Sequence, residues 1–189
     1  MRYLPVVGAL SVGLLVAALA APGALGAGRD SLNPAAPEET RQFAFIVGEW
    51  RCKTRFMDGS GSYTEGAATW TGYYILDGWA IQDDWVSKRP DGEERHGTNV
   101  RSFNPQTGKW DNRWLSNGNL QWKYYSSEQV GKTMVMTGGE GRDARGEFVD
   151  RNTFYDIGKD SWRWRKDRSY DGGETWIEGV GFIEATRVR

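Results

Sequence analysis

Tryptophans alternate with isolated polar residues along several stretches of the chain. In Trp110-Asp111-Asn112-Arg113-Trp114, both tryptophans and Asn112 share one face if the stretch is extended, and Asp83 precedes Trp85 at the same spacing. Aromatic walls with a few fixed polar groups are the usual lining of a small-molecule site. The candidate ligand-binding residues are Trp70, Asp83, Trp85, Arg101, Asn112, Trp114, Trp122, Arg151 and Trp164.

Two of these candidates are arginines, Arg101 and Arg151. A guanidinium buried in a small protein needs an anion, which is either an internal carboxylate or the acid group of a ligand. The pattern therefore indicates a small, partly apolar ligand, with an acid group as one partner for an arginine. In the alternative interpretation the tryptophans fill the interior and the arginines face water.

Motifs for catalysis and for cofactor binding are absent from the sequence. Asp83 and Asp84 are adjacent, so in a strand they point to opposite faces and cannot flank one glycosidic bond. The single histidine and the lack of a nucleophile-elbow pattern argue against a Ser-His-Asp triad. We predict no catalytic residue and no cofactor.

Two other functions stay open at this point. One is a barrel enzyme, an isomerase, cyclase or hydrolase, in which an interior carboxylate such as Asp83 acts as the base. The other is a carbohydrate-binding protein that uses exposed tryptophans. The binding of a small molecule without turnover is the main prediction.

A metal site is not expected. His96 has no second histidine to join it, and Cys52, the single cysteine, lies in a different stretch. We interpret His96 as a solvated residue beside a turn. Cys52 lies on the apolar face of its stretch, which predicts a buried and unreactive thiol.

The elements that must position these residues are strands. From Gly48 to Met57, Trp50, Cys52, Thr54 and Phe56 alternate with basic residues, which is typical of a strand with one buried face. Turn signals separate further strand candidates, and Gly138 to Ala144 has the composition of a loop. The predicted strands are 48–57, 63–76, 79–88, 97–104, 109–116, 120–127, 132–137, 148–155, 161–170 and 175–188.

About ten strands joined mostly by short turns predict an all-β fold, an up-and-down antiparallel barrel. A short helix that begins after Pro37 is expected to close one end. A barrel of this size encloses room for a small ligand. The inward faces of 63–76 and 79–88 are left open, because a single bulge would invert them.

The N-terminus has the pattern of a secretory signal. Arg2 precedes an apolar run, Pro22 interrupts it, and small residues precede Ala27. We predict a signal peptide at 1–26, a flexible linker at 27–36 and the barrel domain at 37–189. The expected location is secreted or periplasmic, without stable membrane insertion after cleavage. The alternative is a retained membrane anchor.

Charge excludes one class of partner. The chain has 24 Lys plus Arg and 25 Asp plus Glu, giving a net charge of −1. Nucleic-acid-binding domains usually carry a basic excess, so we expect no nucleic-acid partner.

The segment Ser169 to Trp176 resembles the Asp-box of sialidases, a structural motif. The Asp171 carboxylate is expected to accept hydrogen bonds from the turn, and Trp176 to pack on the hairpin. Sialidase propellers carry several copies, whereas this chain has one. The motif therefore predicts a rigid hairpin.

Short motifs carry a resemblance to a known family. Ile46-Val47-Gly48-Glu49-Trp50, Ile75-Leu76-Asp77-Gly78 and the stretch from Asn104 to Trp110 resemble a bacterial domain-of-unknown-function family. Its members are expected to form lipocalin-like (calycin) barrels. In lipocalins a tryptophan after the first glycine closes the barrel base and an arginine in the last strand stacks on it. The resemblance implies that Arg187 stacks on Trp50.

Overall fold

The protein folds into one closed antiparallel sheet. The structure, a computed structural model, describes residues 31–88 and 92–188. Within these residues a 3-10 helix, Glu38–Ile46, precedes ten strands. These are β1 Gly48–Met57, β2 Tyr63–Ile75, β3 Ala80–Lys88, β4 Glu94–Asn104, β5 Lys109–Ser116, β6 Lys123–Val130, β7 Thr133–Asp143, β8 Gly146–Tyr155, β9 Ser161–Ser169 and β10 Ile177–Arg187. Each strand pairs with its neighbours in sequence, and β1 pairs with β10. The predicted up-and-down barrel of about ten strands is confirmed.

The alternation of residue types in β1 corresponds to burial. Trp50, Cys52 and Thr54 are buried, and Arg51 and Lys53 between them are exposed. Burial raises the pKa of the Cys52 thiol to about 12. Because only the thiolate is a strong nucleophile, Cys52 is inert near neutral pH.

The 3-10 helix closes one end of the barrel. Its Phe43 and Ile46 are fully buried, and the Phe43 ring meets the Trp110 ring edge-on at 4.9 Å. Trp50 Nε1 donates a hydrogen bond to the Ile46 carbonyl at 2.9 Å. A Cβ atom at position 72 would lie 2.2 Å from that carbonyl oxygen, so Gly72 lets the helix approach β2. The prediction of a short helix at one end is confirmed.

Several predicted strand boundaries differ from the structure, and two of these differences affect the candidate site. β6 begins at Lys123, three residues later than expected, so Leu120 and Trp122 belong to the preceding connection. β7 continues to Asp143, so the loop predicted from Gly138 to Ala144 is wrong. The strand crosses the glycine-rich segment through a register shift between Gly138 and Gly141, and glycines are common at such bulges.

The chain before the helix is described in part. The predicted signal peptide, 1–26, lies outside the described residues, as do residues 27–30 of the predicted linker. Within residues 31–36, Asn33 Nδ2 donates to the Asp77 carbonyl at 3.0 Å, and Leu32 packs against the core. Across the described ranges, no helix has the length and apolar character needed to span a membrane.

Candidate functional site

The two ends of the barrel differ in what covers them. The 3-10 helix covers the end at which β1 starts. The opposite end, which we call the mouth, is bordered by the connections after the odd-numbered strands. The inward-facing residues therefore divide into those near the covered end and those near the mouth.

Aromatic rings fill the closed half of the interior. The Trp70 ring lies 5.0 Å from the Trp162 ring and 5.5 Å from the Trp85 ring, both edge-on. The Phe154 ring lies 5.4 Å from the Trp162 ring. Trp70, a predicted ligand-binding residue, is 5% exposed and is packed among other side chains of the protein.

Three predicted ligand-binding residues form one hydrogen-bonded group beside these rings, which we call the floor network: Asp83, Arg101 and Asn112. Each is fully buried. Arg101 Nε donates to Asp83 Oδ2 at 2.6 Å, Nη2 donates to Oδ1 at 3.3 Å, and Nη1 donates to Asn112 Oδ1 at 3.1 Å. The Phe43 ring covers the guanidinium, with its centre 4.7 Å from Cζ. The sequence predicted that a buried Arg101 needs an anionic partner. The structure identifies this partner as the carboxylate of Asp83.

The floor network leaves Asp83 little capacity for chemistry. Burial raises the pKa of the Asp83 carboxyl, and the adjacent Arg101 opposes this rise. Both carboxylate oxygens accept hydrogen bonds from Arg101, and no part of the side chain is exposed. A general base must reach the proton that it abstracts. Asp83 is therefore a structural partner of Arg101.

Tryptophans line the inner wall nearer the mouth. Trp85 and Trp114 are partly buried and flank β4, where Trp85 is paired with Gly97 and Trp114 with Asn99. A Cβ atom on Gly97 would lie 2.1 Å from the Trp114 ring, so the missing side chain makes room for that indole. Trp164 on β9 is 8% exposed. We call Trp85, Trp114 and Trp164 the mouth tryptophans.

Cationic side chains face inward at the mouth from β6 and β9: Lys123, Lys166 and Arg168. Asp150, 1% exposed, accepts hydrogen bonds from Arg168 Nε at 2.8 Å and lies 3.3 Å from Lys166 Nζ. Arg168 also binds Asp143 at 3.0 Å. Three cations thus meet two carboxylates, and the cluster keeps an excess positive charge.

Lys123 is the least neutralised of these cations. Its Nζ donates to the Gly139 carbonyl at 2.9 Å and lies 5.0 Å from the centre of the Phe148 ring. Burial lowers the pKa of the Lys123 ammonium; nearby Asp150 opposes that effect, and Lys166 and Arg168 add to it. An ammonium has three donors, so Lys123 and Lys166 both retain donors for an anion.

An unpaired acceptor lies beside these cations. Asn152 is 4% exposed and is the cross-strand partner of Lys166. Its Oδ1 atom accepts no hydrogen bond from any described residue. The Tyr125 hydroxyl is close to the Asn152 amide; burial raises the pKa of this phenol, and the interaction with Asn152 opposes the rise. We refer to Lys123, Lys166, Arg168, Asp150, Tyr125 and Asn152 as the mouth cluster.

Two predicted ligand-binding residues do not face the interior. Trp122 is 47% exposed and precedes β6, because that strand starts later than predicted. Arg151 lies on the outer face of β8, where it donates to Asp167 at 2.9 Å and its guanidinium lies 4.3 Å from the centre of the Trp176 ring. The inward face of β8 is the alternate set, which carries Asp150 and Asn152.

The mouth cluster was missed in the sequence, although signals for part of it exist. Trp162 and Trp164 share the inward face of β9, and continuing their alternation places Lys166 and Arg168 on that same face. On β8, two phenylalanines flank the set that includes Asp150 and Asn152. Lys123 had no comparable signal, because the prediction that Trp122 faces inward turned its neighbour Lys123 outward.

The residues predicted to be structural lie where β1 pairs with β10 and in the connection between β9 and β10. Arg187 is paired with Trp50 across β1 and β10, and its guanidinium stacks on the indole. Asp171 accepts hydrogen bonds from the backbone N–H of Thr175 at 2.9 Å and from the Ser169 hydroxyl at 2.6 Å. These bonds lower the pKa of the Asp171 carboxyl.

No metal site is formed by the part of the chain that the structure describes, since no three histidine, cysteine or carboxylate side chains converge there. His96 is exposed on β4, with Nε2 at 3.3 Å from Glu94. A depression of about 750 Å³ lies on the rim beside Phe148. It is lined by Glu140, Gly141, Arg142, Glu147, Phe148, Val149, Tyr170, Asp171 and Gly172. Carboxylates outnumber cations in that lining, which does not suit an anionic ligand.

Comparison with known proteins bears on the fold. No protein-family model and no curated protein matches the sequence. Among solved structures, the chain is similar to the S-type phycobiliprotein lyase CPES from Guillardia theta. The TM-score is 0.53 at 12% identity, over 79% of this chain and 92% of the lyase chain. The fold is lipocalin-like. At this identity the likeness concerns the fold alone, and membership of the domain-of-unknown-function family stays a prediction.

Proposed function

We propose that this protein binds a small amphipathic acid at the mouth of the barrel. The acid group lies between Lys123 and Lys166, and the apolar body lies against Trp85 and Trp114. One observation carries this proposal: two inward-facing ammonium groups with unused donors lie at the same end of the interior as a partly exposed indole wall.

The energetics of the mouth favour an anion. Moving Lys123 out of water penalises its charge, and the carbonyl of Gly139 only partly replaces the lost hydration. A ligand carboxylate supplies charge-assisted hydrogen bonds, which contribute about 1.5–3 kcal/mol each. Trp85 and Trp114 add apolar contact area. The floor network and the packed aromatic rings limit how far a ligand can enter the barrel.

The N-terminal signal pattern adds a location to the proposal. A secreted or periplasmic binder of a small acid would sequester or carry its ligand outside the cytoplasm. Binding without turnover fits the mouth better than catalysis does, because Asp83, the one fully buried carboxylate with a raised pKa among the described residues, is paired with Arg101.

Carbohydrate binding through exposed tryptophans finds less support. Trp79 and Trp122 are 45% and 47% exposed, but they lie at opposite ends of the barrel. They therefore cannot form one stacking platform for a single sugar chain.

The test is a titration of tryptophan fluorescence, with calorimetry, using decanoic acid, 2-naphthoic acid and the matching neutral amides. We expect the acids to bind and the amides to bind weakly. Lys123→Met and Lys166→Met should each weaken the acids about tenfold or more. The control is Lys109→Met, since Lys109 is exposed and pairs with Glu128 on the outside. Equal affinity for acids and amides, or no binding of any acid, contradicts the proposal.

A further inference from the structure

The buried acceptor in the mouth cluster has no partner. Asn152 Oδ1 receives no hydrogen bond from the described protein, although the residue is 4% exposed. A buried acceptor without a donor is costly, and its pairing therefore favours any ligand that brings one. Its surroundings decide which donor fits.

The position of Asn152 relative to the cations defines the ligand atom that reaches it. Asn152 and Asp150 are successive inward residues of β8, about 7 Å apart along the strand. Lys166 is paired with Asn152, and its ammonium extends toward Asp150, 3.3 Å from the carboxylate. If that ammonium binds the acid group of a ligand, Asn152 lies on the side of the acid group that is farther from the mouth. The substituent on the carbon next to the acid group is the part of the ligand that meets it.

We infer that the ligand of the mouth is a 2-hydroxy acid with an apolar tail, whose hydroxyl donates a hydrogen bond to Asn152 Oδ1. This inference rests on the proposed function and names the class of acid. A 2-amino group is also a donor, but its positive charge would lie beside Lys123, Lys166 and Arg168, and the neighbouring Asp150 carboxylate is already paired with Lys166 and Arg168. Like charges at such distances repel, so the neutral hydroxyl is the donor that the mouth accepts.

The experiment compares four probes on the full mature chain by fluorescence titration and calorimetry: decanoic acid, both enantiomers of 2-hydroxydecanoic acid, and 2-aminodecanoic acid. One enantiomer of the hydroxy acid should bind about tenfold more tightly than decanoic acid. 2-Aminodecanoic acid should bind more weakly than decanoic acid and more weakly than the preferred hydroxy acid. Equal affinity for decanoic acid and both hydroxy acids overturns this inference alone, whereas a failure of every acid to bind overturns the proposed function as well.

One variant tests whether the Asn152 side chain itself causes the preference for the hydroxy acid. Asn152→Leu keeps the shape and removes the acceptor, so the preference for the hydroxy acid should vanish while decanoic acid still binds. Gln129→Leu is the control, because Gln129 is an exposed residue near the covered end of the barrel. A preference that persists in Asn152→Leu overturns the assignment. If that variant does not fold, the comparison of probes on the unchanged protein still decides the outcome.

Discussion

The Arg187 guanidinium lies 4.1 Å from the centre of the Trp50 ring, and its Nη1 donates to the Val47 carbonyl at 2.9 Å. These contacts join the last strand to the first strand and to the segment that follows the helix. The closure of the barrel therefore depends on a side chain as well as on the backbone pairing of β1 with β10.

Arg187→Ala should lower the free energy of unfolding by about 0.5–2 kcal/mol, which is the range for a cation–π contact. For a chain of this size the melting temperature should fall by about 2–4 °C per kcal/mol. Thermal unfolding followed by circular dichroism measures the change. Arg163→Ala is the control, since Arg163 forms exposed ion pairs only. A melting temperature that is the same for both variants would show that the stacking contributes nothing.

Arg101→Met should destabilise the protein by about 3–5 kcal/mol, because it leaves the Asp83 carboxylate buried without its partner. The folded-state pKa of Asp83 is already raised, so the charged form is the disfavoured one. The loss should therefore be small below the unfolded-state pKa, about 3.9, and should grow as the pH rises above it. Urea unfolding at pH 4 and pH 7 measures this difference.

A second replacement tests the same ion pair. Arg101→Met with Asp83→Leu removes both charges, so the double variant should be more stable than Arg101→Met alone. A double variant that is less stable than the single one would mean that Asp83 contributes through other contacts.

Arg151→Met should leave the affinity for acids unchanged, because Arg151 lies on the outside of the barrel. It should reduce stability by about 1–3 kcal/mol, since Asp167 is fully buried and loses one of its charged donors. Paired measurements of ligand affinity and of urea unfolding check both parts. Weaker acid binding by Arg151→Met would place the ligand outside the mouth.

The affinity for an acid should depend on the ionisation of Lys123. Burial lowers the pKa of Lys123 in the free protein, and a bound carboxylate raises it by stabilising the ammonium. Affinity should therefore be highest below the free-state pKa and should fall as the pH rises through it. Titrations from pH 6 to pH 10 test this, with Lys123→Met expected to show a flatter profile.

Gly97→Val should weaken ligand binding by displacing the Trp114 indole, because its Cβ atom would lie 2.1 Å from that ring. Overpacking of this kind costs about 1–3 kcal/mol of stability. Gly118→Ala is the control, since the nearest atom to its added Cβ, the Ser116 hydroxyl oxygen, is 3.6 Å away. A shifted tryptophan emission maximum for Gly97→Val, and not for Gly118→Ala, would report the displacement.

Where sequence and structure agree, the reason is local. The alternation in β1 and the spacing of the turns depend on neighbouring residues, which a sequence displays directly. The same is true of Asp171, whose hydrogen bonds stay within its own hairpin. The closed barrel follows from these local patterns, because consecutive hairpins leave a meander whose edges can pair.

The face that each strand turns inward depended on register, and only the tertiary structure decided it. Both faces of β8 contain polar and apolar residues, so the sequence did not distinguish Arg151 from Asn152 as the inward residue. The Arg101 partner was likewise decided by pairing between strands, which brings Asp83 within 2.6 Å from eighteen positions away. The sequence alone determined that the chain forms a tryptophan-rich barrel. The gathering of Lys123, Lys166 and Asn152 at one mouth required the fold, because these residues come from β6, β8 and β9, which only strand pairing and the curvature of the sheet bring together.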